Sequence, residues 1–337
     1  MSERSVNKKT TIYDVAAAAD ASVSTVSLVL NGDWSRYRIK EETSKRILKT
    51  ARDLGYKVNL RARGLRLSKS GLAGMILPHY RNRFFADLAE TFEAGARKRD
   101  LCPIVVSTQR DSEAEIKVVA TLLAQRVEFL FIAGVSDPSL LNRMCDDAGV
   151  PCVNVDLPGP GAPSVVTDNK AGAFLVTQKL IERVRASGGT VDDMFFLGGV
   201  AGEYATENRV AGFAEALRLV GAEVRADMVS CCGYRPESAS AALTDYVARR
   251  GGLPSGLFIS SITTFEGVMR YSAGAGAAFD CAVGCFDWDP FAADLRCTVA
   301  MLRQDAEGLM DAAFASLQPE CQRERAVLMT APILERG

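Results

Sequence analysis

From residue 71 onward, short apolar runs alternate with segments of helical periodicity. Alternating strands and helices build parallel sheets with helices on both faces, so this region predicts an α/β fold. The segment 71–337 is longer than a domain built on one such sheet usually is. We therefore expect two lobes of doubly wound parallel sheet with a cleft between them. Ligands of such folds bind at the carboxyl ends of the strands. The predicted strands are 72–77, 102–107, 127–134, 151–156, 193–199, 256–260, 281–286 and 325–330.

Residues 1–58, the head, have a different pattern. Thr11 precedes an apolar stripe at helical spacing, and Asp14 three residues later provides the second member of a capping box. Ser22 stands before a second short helix over 23–30, and a third is predicted over 40–54. Three short helices with a tight turn between the first two predict a helix-turn-helix domain. The second helix of such a domain enters the major groove of DNA with its amino terminus first.

Charge is distributed unevenly along the chain. Residues 1–70 contain 15 Lys and Arg against 7 Asp and Glu, whereas residues 71–337 contain 25 against 34. A basic segment on an acidic remainder indicates a polyanion as the partner of the basic segment alone. A solvated basic surface is the alternative interpretation of the same charges.

Few residues offer enzymatic or metal chemistry. His79 is the only histidine, and it follows a proline at the end of a predicted strand, where a loop residue is expected rather than a general base. The nine cysteines lack the spacing of a zinc site and are expected to be small buried side chains in a reducing compartment. No apolar run has the length of a membrane span, and the amino terminus lacks the apolar core of a signal peptide. We therefore expect a cytoplasmic protein with no catalytic residues, no bound metal, no cofactor and no membrane partner.

The segment TIYDVAAAADASVSTVSLVLNG (residues 11–32) resembles the lactose/galactose repressor (LacI/GalR) family of bacterial transcription regulators, and ARDLGYKVN (residues 51–59) matches the same family. The resemblance implies that the head contacts DNA through Thr11, Tyr13, Ser22, Val23, Ser24, Thr25, Ser27, Leu28 and Asn31. Leu28 stands where the family commonly has an arginine or a similar long polar residue. The residues in base-reading positions therefore offer methyl groups and one hydroxyl, but no bidentate fork for guanine. The loop before the third helix is also a few residues longer than usual.

Residues 59–70 form a basic linker that matches the hinge of this family. In the family, the hinge folds into a short helix when two protomers sit on DNA, and a leucine from each protomer wedges into the minor groove and kinks it. Leu65 matches that leucine, and Asn59 and Arg63 match neighbours that also contact DNA. An ordinary flexible linker is the alternative.

The resemblance extends more loosely over residues 71–337, the body, and implies a two-lobed fold like that of periplasmic sugar-binding proteins. We expect lobe one to contain about residues 71–168 and 300–322, and lobe two about residues 169–299 and 323–337. The resemblance implies that Phe84 and Phe85 stack on a ligand ring and that Asp156 and Asp168 accept hydrogen bonds from hydroxyl groups. It also implies an acidic contact from Asp287 and a guanidinium fork from Arg209. Ser261 and Ile262 stand where many members have an Asn-Asp pair whose aspartate grips a sugar. This departure leaves open a phosphorylated or otherwise modified sugar.

These features predict a homodimeric transcription repressor, not an enzyme. Its head binds a palindromic operator of double-stranded DNA, and its body senses a small molecule, a sugar or sugar derivative. Because no leucine heptads follow at the carboxyl terminus, we expect no tetramer. The alternative is a sugar-binding or sugar-processing α/β protein with a non-functional head, and DNA binding with a steep salt dependence separates the two.

Overall fold

The computed structural model describes residues 10–56, 69–275, 279–324 and 327–336. The chain forms two compact units. One comprises residues 1–70, which contain the head and the linker, and the other comprises residues 71–337, the body.

Residues 10–56 of the head contain three helices, and each of the first two begins at a capping side chain. The helices are α1 (Ile12–Ala18), α2 (Val23–Leu30) and α3 (Glu41–Asp53). The Asp14 amide donates to the Thr11 hydroxyl at 3.4 Å, and the Thr11 amide donates to the Asp14 carboxylate at 2.7 Å, which completes the predicted capping box. At the start of α2, the Thr25 amide donates to the Ser22 hydroxyl at 3.1 Å. The axes of α1 and α2 differ by 106°, as in helix-turn-helix pairs.

Small apolar side chains from all three helices form the core of the head. The buried members are Val15, Ala16, Ala19, Val26, Val29, Ile47 and Ala51. The long loop before α3 folds onto this core, because Trp34 and Ile39 pack against it and the Ile39 amide donates to the Trp34 carbonyl at 2.9 Å. Within the described ranges, no single helix has the length and hydropathy of a membrane span, although the bent pair α1 and α2 meets that test when taken together.

The described residues of the body form two six-stranded sheets and one separate pair of short strands. Its strands are β1 (Leu72–Leu77), β2 (Cys102–Ser107), β3 (Leu130–Ala133), β4 (Cys152–Val155), β5 (Ser164–Thr167), β6 (Met194–Leu197), β7 (Gly199–Val200), β8 (Val229–Ser230), β9 (Cys232–Gly233), β10 (Gly256–Ile259), β11 (Ala282–Phe286), β12 (Thr298–Arg303), β13 (Val327–Thr330) and β14 (Ile333–Arg336). Its α-helices are α4 (Arg83–Arg97), α5 (Ser112–Ala124), α6 (Ser139–Asp147), α7 (Asn169–Ala186), α8 (Tyr204–Arg218), α9 (Pro236–Arg250), α10 (Ile262–Ala275), α11 (Pro290–Ala293), α12 (Ala306–Ala315) and α13 (Pro319–Glu324).

Both large sheets are parallel and doubly wound. The first has the strand order β13-β5-β4-β3-β1-β2, and the second has the order β14-β12-β11-β10-β6-β8. Every paired neighbour in the two sheets is parallel except β12 and β14, which are antiparallel. The central strands of both sheets are buried on both faces, as expected when helices cover each side of a sheet, whereas the edge strand β13 is largely exposed. The predicted α/β fold class is thus confirmed.

Each sheet with its helices is one lobe, and the chain crosses between the lobes after β5, after β12 and after β13. This pairing corrects the expected lobe boundaries at two places: residues 300–303, which were placed in lobe one, and residues 327–330, which were placed in lobe two. β12 pairs with β11 in the second sheet, and β13 pairs with β5 in the first. Short strands near a sheet edge carry too little periodicity to reveal which sheet they join, so only the pairing assigns them.

Hydrogen bonds hold the crossover segments together. The Thr167 hydroxyl lies 2.7 Å from the Gln304 side-chain oxygen, and the Asp168 amide donates to the Thr330 carbonyl at 2.9 Å. The three crossovers therefore lie side by side, at one edge of the cleft between the lobes.

Candidate functional site

α2 is the element of the head that the sequence predicts to read DNA. Its buried side chains are Val26 and Val29, which join the core, while Ser22 and Ser24 are exposed. Tyr13 on α1 is 70% exposed. The remaining predicted contacts of the head are at least partly accessible, namely Thr11, Val23, Thr25, Ser27, Leu28 and Asn31. None of these nine side chains is part of the buried core, so the structure leaves each of them able to touch a ligand.

The amino terminus of α2 is polar but uncharged. The Ser22 hydroxyl lies 2.8 Å from the Thr25 hydroxyl while it also accepts from the Thr25 amide. The positive end of a helix dipole together with two hydroxyl groups suits a phosphate oxygen. Exposed Arg36 and Arg38 follow in the loop after α2 and add positive charge. The predicted hinge contacts Asn59, Arg63 and Leu65 lie outside the described residues.

In the body, a cavity lies between the two lobes at the carboxyl ends of the parallel strands. Lobe one lines it with His79, Asn82, Phe84, Phe85, Arg110 and Asp156, lobe two with Ala205, Arg209, Tyr234, Ser261, Thr263 and Asp287, and the crossover after β12 with Gln304. Its volume of about 30 Å³ is room for one or two water molecules. A ligand of the size of a sugar therefore enters only when the lobes move apart.

Five of the six predicted effector contacts line this cavity, and Asp168 does not. The Asp168 carboxylate is the amino-terminal cap of α7, where it accepts from the Ala171 amide at 3.0 Å. Phe84 and Phe85 are buried against each other, with ring centroids 5.1 Å apart. Their edges form the apolar part of the lining.

Asp287 is the best-satisfied acid of the cavity and is 2% exposed. Its carboxylate accepts from the Asn82 side chain at 2.8 Å, from the Gln304 side chain at 2.9 Å and from the Ile262 amide at 3.2 Å. Burial raises the pKa of Asp287, while the Arg209 charge and these hydrogen bonds act against that rise. Because Asn82 belongs to lobe one, this carboxylate links the two lobes.

Arg209 lies under the cavity on α8 and is 5% exposed. Its Nε donates to the Asn169 side chain at 2.8 Å, and its Nη1 donates to the Ser260 carbonyl. Its guanidinium carbon sits 3.8 Å from the centroid of the Phe286 ring, a cation–π distance. The guanidinium group is thus fixed on three sides before any ligand arrives.

Asp156 follows β4 in a left-handed backbone conformation, with φ of 76°. Among the described residues, its Oδ1 has no hydrogen-bond partner although the side chain is buried. Burial raises the pKa of Asp156 to about 6, against the opposing charges of Arg209 and Arg110. A buried acceptor without a donor is what a hydroxyl-bearing ligand would satisfy.

A second contact between the lobes involves residues that the sequence analysis did not select. Arg110 of lobe one donates to the Glu203 carboxylate of lobe two at 3.1 Å, and its guanidinium carbon lies 4.7 Å from the Tyr234 ring centroid. The Tyr234 hydroxyl donates to the other Glu203 oxygen at 2.9 Å. Arg110 follows β2, so its position after a predicted strand was the signal that could have selected it.

Asn82, Tyr234 and Gln304 were also missed. Asn82 caps α4 and Gln304 follows β12, which was not predicted as a strand. Ser261, noted as a departure from the family, is buried and lies 2.9 Å from the Thr264 hydroxyl. The described residues contain no group of three or more His, Cys, Asp or Glu side chains with the arrangement of a metal site.

Comparison with known proteins gives two family matches. Residues 11–59 match bacterial regulatory proteins of the lacI family, and residues 70–255 match periplasmic binding proteins and the sugar-binding domain of the LacI family. The ribitol operon repressor of Klebsiella aerogenes is 41% identical over 192 residues, which cover 57% of this chain and 71% of that protein.

Two solved structures share the fold. The lac repressor dimer bound to operator and the anti-inducer ONPF superimposes with a TM-score of 0.79 at 21% identity, covering 98% of both chains. The Cra transcriptional dual regulator from Pseudomonas putida, in complex with fructose 1-phosphate, superimposes with a TM-score of 0.68 at 21% identity, covering 79% of this chain and 98% of that one.

Proposed function

The chain belongs to the LacI family of bacterial regulatory proteins, and on that premise we propose that it is a transcription repressor whose affinity for operator DNA is controlled by a sugar or sugar derivative bound between the lobes of its body. The observation that carries the proposal is the convergence of polar side chains from both lobes on one cavity, in a chain that begins with a helix-turn-helix. Among relatives, one is named for a ribitol operon and another was solved with fructose 1-phosphate, so neutral and phosphorylated sugars both need testing.

DNA binding is assigned to the exposed surface of α2 and its neighbours. We infer that Ser22 and Thr25 meet phosphate oxygens at the amino terminus of α2, and that Val23, Ser24 and Leu28 face the base edges. The proposed DNA interface consists of the nine exposed or partly exposed residues of the head and three residues of the hinge, Asn59, Arg63 and Leu65. Methyl groups at the base-facing positions favour contacts with thymine rather than with guanine.

Control by the effector follows from the closed cleft. The Asn82–Asp287 and Arg110–Glu203 contacts hold the lobes together, and the remaining space is too small for a sugar. A ligand that binds the open cleft more tightly than the closed cleft increases the fraction of molecules with an open cleft. The size of this shift is set by the difference between the ligand's affinities for the open and closed states. The linker 59–70 connects the head to lobe one, so a change in lobe geometry in a dimer changes the spacing at which two linkers meet DNA.

The protein acts as a homodimer, since a palindromic operator has two-fold symmetry. We assign the dimer contact to an apolar groove of about 570 Å³ on the body, at which Phe291 is 81% exposed and Leu295 is 38% exposed. Glu266 and Arg270 also line it. Apolar side chains beside charges of both signs permit the self-complementary contact that an isologous dimer needs. Sedimentation of the Phe291→Glu variant should show monomers at concentrations at which the unmodified protein is dimeric.

The decisive experiment is DNA binding by the full chain. A duplex is selected from a random library, and its affinity is compared with that of a scrambled duplex by fluorescence anisotropy at several salt concentrations, with and without sugars. We expect preference for the selected duplex, a steep loss of affinity with salt and a shift when the correct sugar is added. Equal affinity for both duplexes under all conditions would favour a sugar-binding protein with a non-functional head.

One variant tests the contribution of the hinge to DNA binding separately from that of the head. Leu65→Ala should weaken binding to the selected duplex far more than binding to the scrambled one, because a minor-groove wedge acts only on a deformable specific site. Equal losses on the two duplexes would remove Leu65 from the proposed interface.

A further inference from the structure

The charges that line the cavity are balanced within the protein. The described lining has two guanidinium groups, Arg110 and Arg209, and two carboxyl groups, Asp156 and Asp287. Arg110 already pairs with Glu203 at 3.1 Å. Arg209 already donates to a side-chain amide and a backbone carbonyl and lies on an aromatic ring. The charge of Arg110 is thus paired with Glu203, with Nε as its open donor, and Arg209 is held on three sides.

Side chains also cap the amino termini of α4 and α10 at the cavity. Asn82 caps α4 by accepting from the Phe84 amide at 2.9 Å. At α10, Asp287 accepts from the Ile262 amide and Ser261 accepts from the Thr264 amide. At α8, Glu203 is the N-cap residue, but its carboxylate accepts from Arg110 and Tyr234 and makes no cap hydrogen bond. At α4 and α10, the positive helix ends that usually attract a phosphate therefore already face side-chain oxygen atoms of the protein.

Some polar atoms of the lining remain open to a ligand. Among the described residues, Asp156 Oδ1, Arg110 Nε and His79 Nδ1 are buried, line the same cavity and have no hydrogen-bond partner. A hydroxyl group both donates and accepts, so adjacent hydroxyls can donate to Asp156 and accept from Arg110. A phosphate or carboxylate group accepts only, and it would meet the unpaired Asp156 oxygen as a second acceptor with like charge.

We propose that the cleft selects an uncharged polyhydroxylated ligand, a polyol or an unphosphorylated sugar, and rejects the phosphorylated or acidic form of the same carbon skeleton. Asp156 and the Arg110–Glu203 pair are the residues that determine this choice. The inference rests on the proposed function, because it names the chemical class of the effector that the repressor senses. The sequence left open whether the effector is phosphorylated, and the proposal selects the unphosphorylated form.

The test is calorimetric titration of the full chain at pH 7.5 with matched probes. Neutral probes are ribitol, D-ribose and the common hexitols and hexoses, and each is paired with its phosphate ester or sugar acid. We expect at least one neutral probe to bind and its charged counterpart to bind about 100-fold more weakly, because opposing like charges in a buried site is costly. Equal or tighter binding of a charged probe would overturn the inference, and so would the absence of binding by every neutral probe.

A double variant tests the physical cause. Asp156→Asn with Glu203→Gln removes two negative charges and frees the Arg110 guanidinium, so the preference for the neutral probe should fall by about tenfold or more. Asp245→Asn removes one carboxylate charge from the exposed surface of α9 and should leave the preference unchanged. Circular dichroism and thermal unfolding establish that both variants are folded. An unchanged preference in the folded double variant would contradict the role of these charges.

The two proposals fail in different ways. Release of a selected operator by a sugar phosphate would retain the repressor and refute the neutral ligand. Binding of a neutral sugar without any preference among DNA duplexes would retain the ligand class and refute the repressor.

Discussion

The Asn82 side chain donates a hydrogen bond to the Asp287 carboxylate at 2.8 Å, and this bond joins residues 205 positions apart across the two lobes. The same carboxylate accepts from Gln304 at the crossover and from the amide that begins α10. Lobe one, lobe two and a crossover thus meet on a single buried acid, and a change at any of them alters the contact between the lobes.

Gln304→Glu places a second carboxylate against Asp287. Because two buried like charges repel and the donor to Asp287 is lost, the variant should lose about 3 kcal/mol of unfolding free energy at pH 7.5. Carboxyls so paired have raised pKa values in the folded state, so the deficit should shrink as the pH falls towards 5. Urea unfolding at both pH values measures the effect. Gln125→Glu, on the exposed end of α5, is the control and should change stability by about 0.5 kcal/mol or less.

Asp156→Asn should stabilise the body while it impairs the response to the effector. The pKa of Asp156 is raised to about 6 in the folded state, so the folded protein binds more protons than the unfolded chain between pH 4 and 6, and stability from this group is lost as the pH rises through 6. Removing the ionisable group should add at most about 3 kcal/mol at pH 7.5 and nothing below pH 4. Asn tolerates the left-handed backbone at this position.

The measurement for Asp156→Asn is thermal or urea unfolding across pH 4 to 8, without ligand. A stability difference that does not change with pH would show that ionisation of Asp156 is not its cause. A stabilised variant that responds normally to the effector would remove Asp156 from the binding site.

Arg209→Lys keeps the positive charge but loses the planar fork. The lysine ammonium group lacks the planar fork with which Arg209 donates to Asn169 and the Ser260 carbonyl while it stacks on Phe286. The side chains that contact Arg209 should therefore shift. Effector affinity should fall by about 30-fold or more, whereas operator affinity without effector should stay within about twofold. Calorimetry and anisotropy provide the two values. A parallel loss of both would indicate a folding defect rather than an altered site.

Ser22→Asp separates helix capping from DNA binding. Aspartate caps a helix as well as serine does, so the stability of the head should change by about 0.5 kcal/mol or less. Its charge at the amino terminus of α2 should repel phosphate and weaken operator binding by about tenfold or more. Ser22→Ala provides the comparison, because it removes the cap and should lower stability by about 1 kcal/mol. Normal operator affinity in Ser22→Asp would exclude this helix end from the DNA interface.

Local chemistry made much of this protein readable from its sequence. The Thr11–Asp14 capping box and the Ser22 cap depend on residues three positions apart, so the first two helices follow from neighbours alone. The alternation of strands and helices determined the α/β class. Five of the effector contacts that the family resemblance implied line the cavity. Two of them, Asp156 and Asp287, directly follow strands, whose carboxyl ends gather at one edge of a parallel sheet.

Only the tertiary structure decided what depends on contacts between distant segments. β12 and β13 joined the sheets opposite to those expected, because pairing of short strands depends on the whole lobe. Asp168 has the same sequence context as a cleft residue, yet its carboxylate turns to cap α7. The Arg110–Glu203 pair spans 93 positions, and although Arg110 follows a predicted strand, no local pattern pairs it with Glu203. Periodicity describes neighbours along the chain, whereas the site is built from neighbours in space.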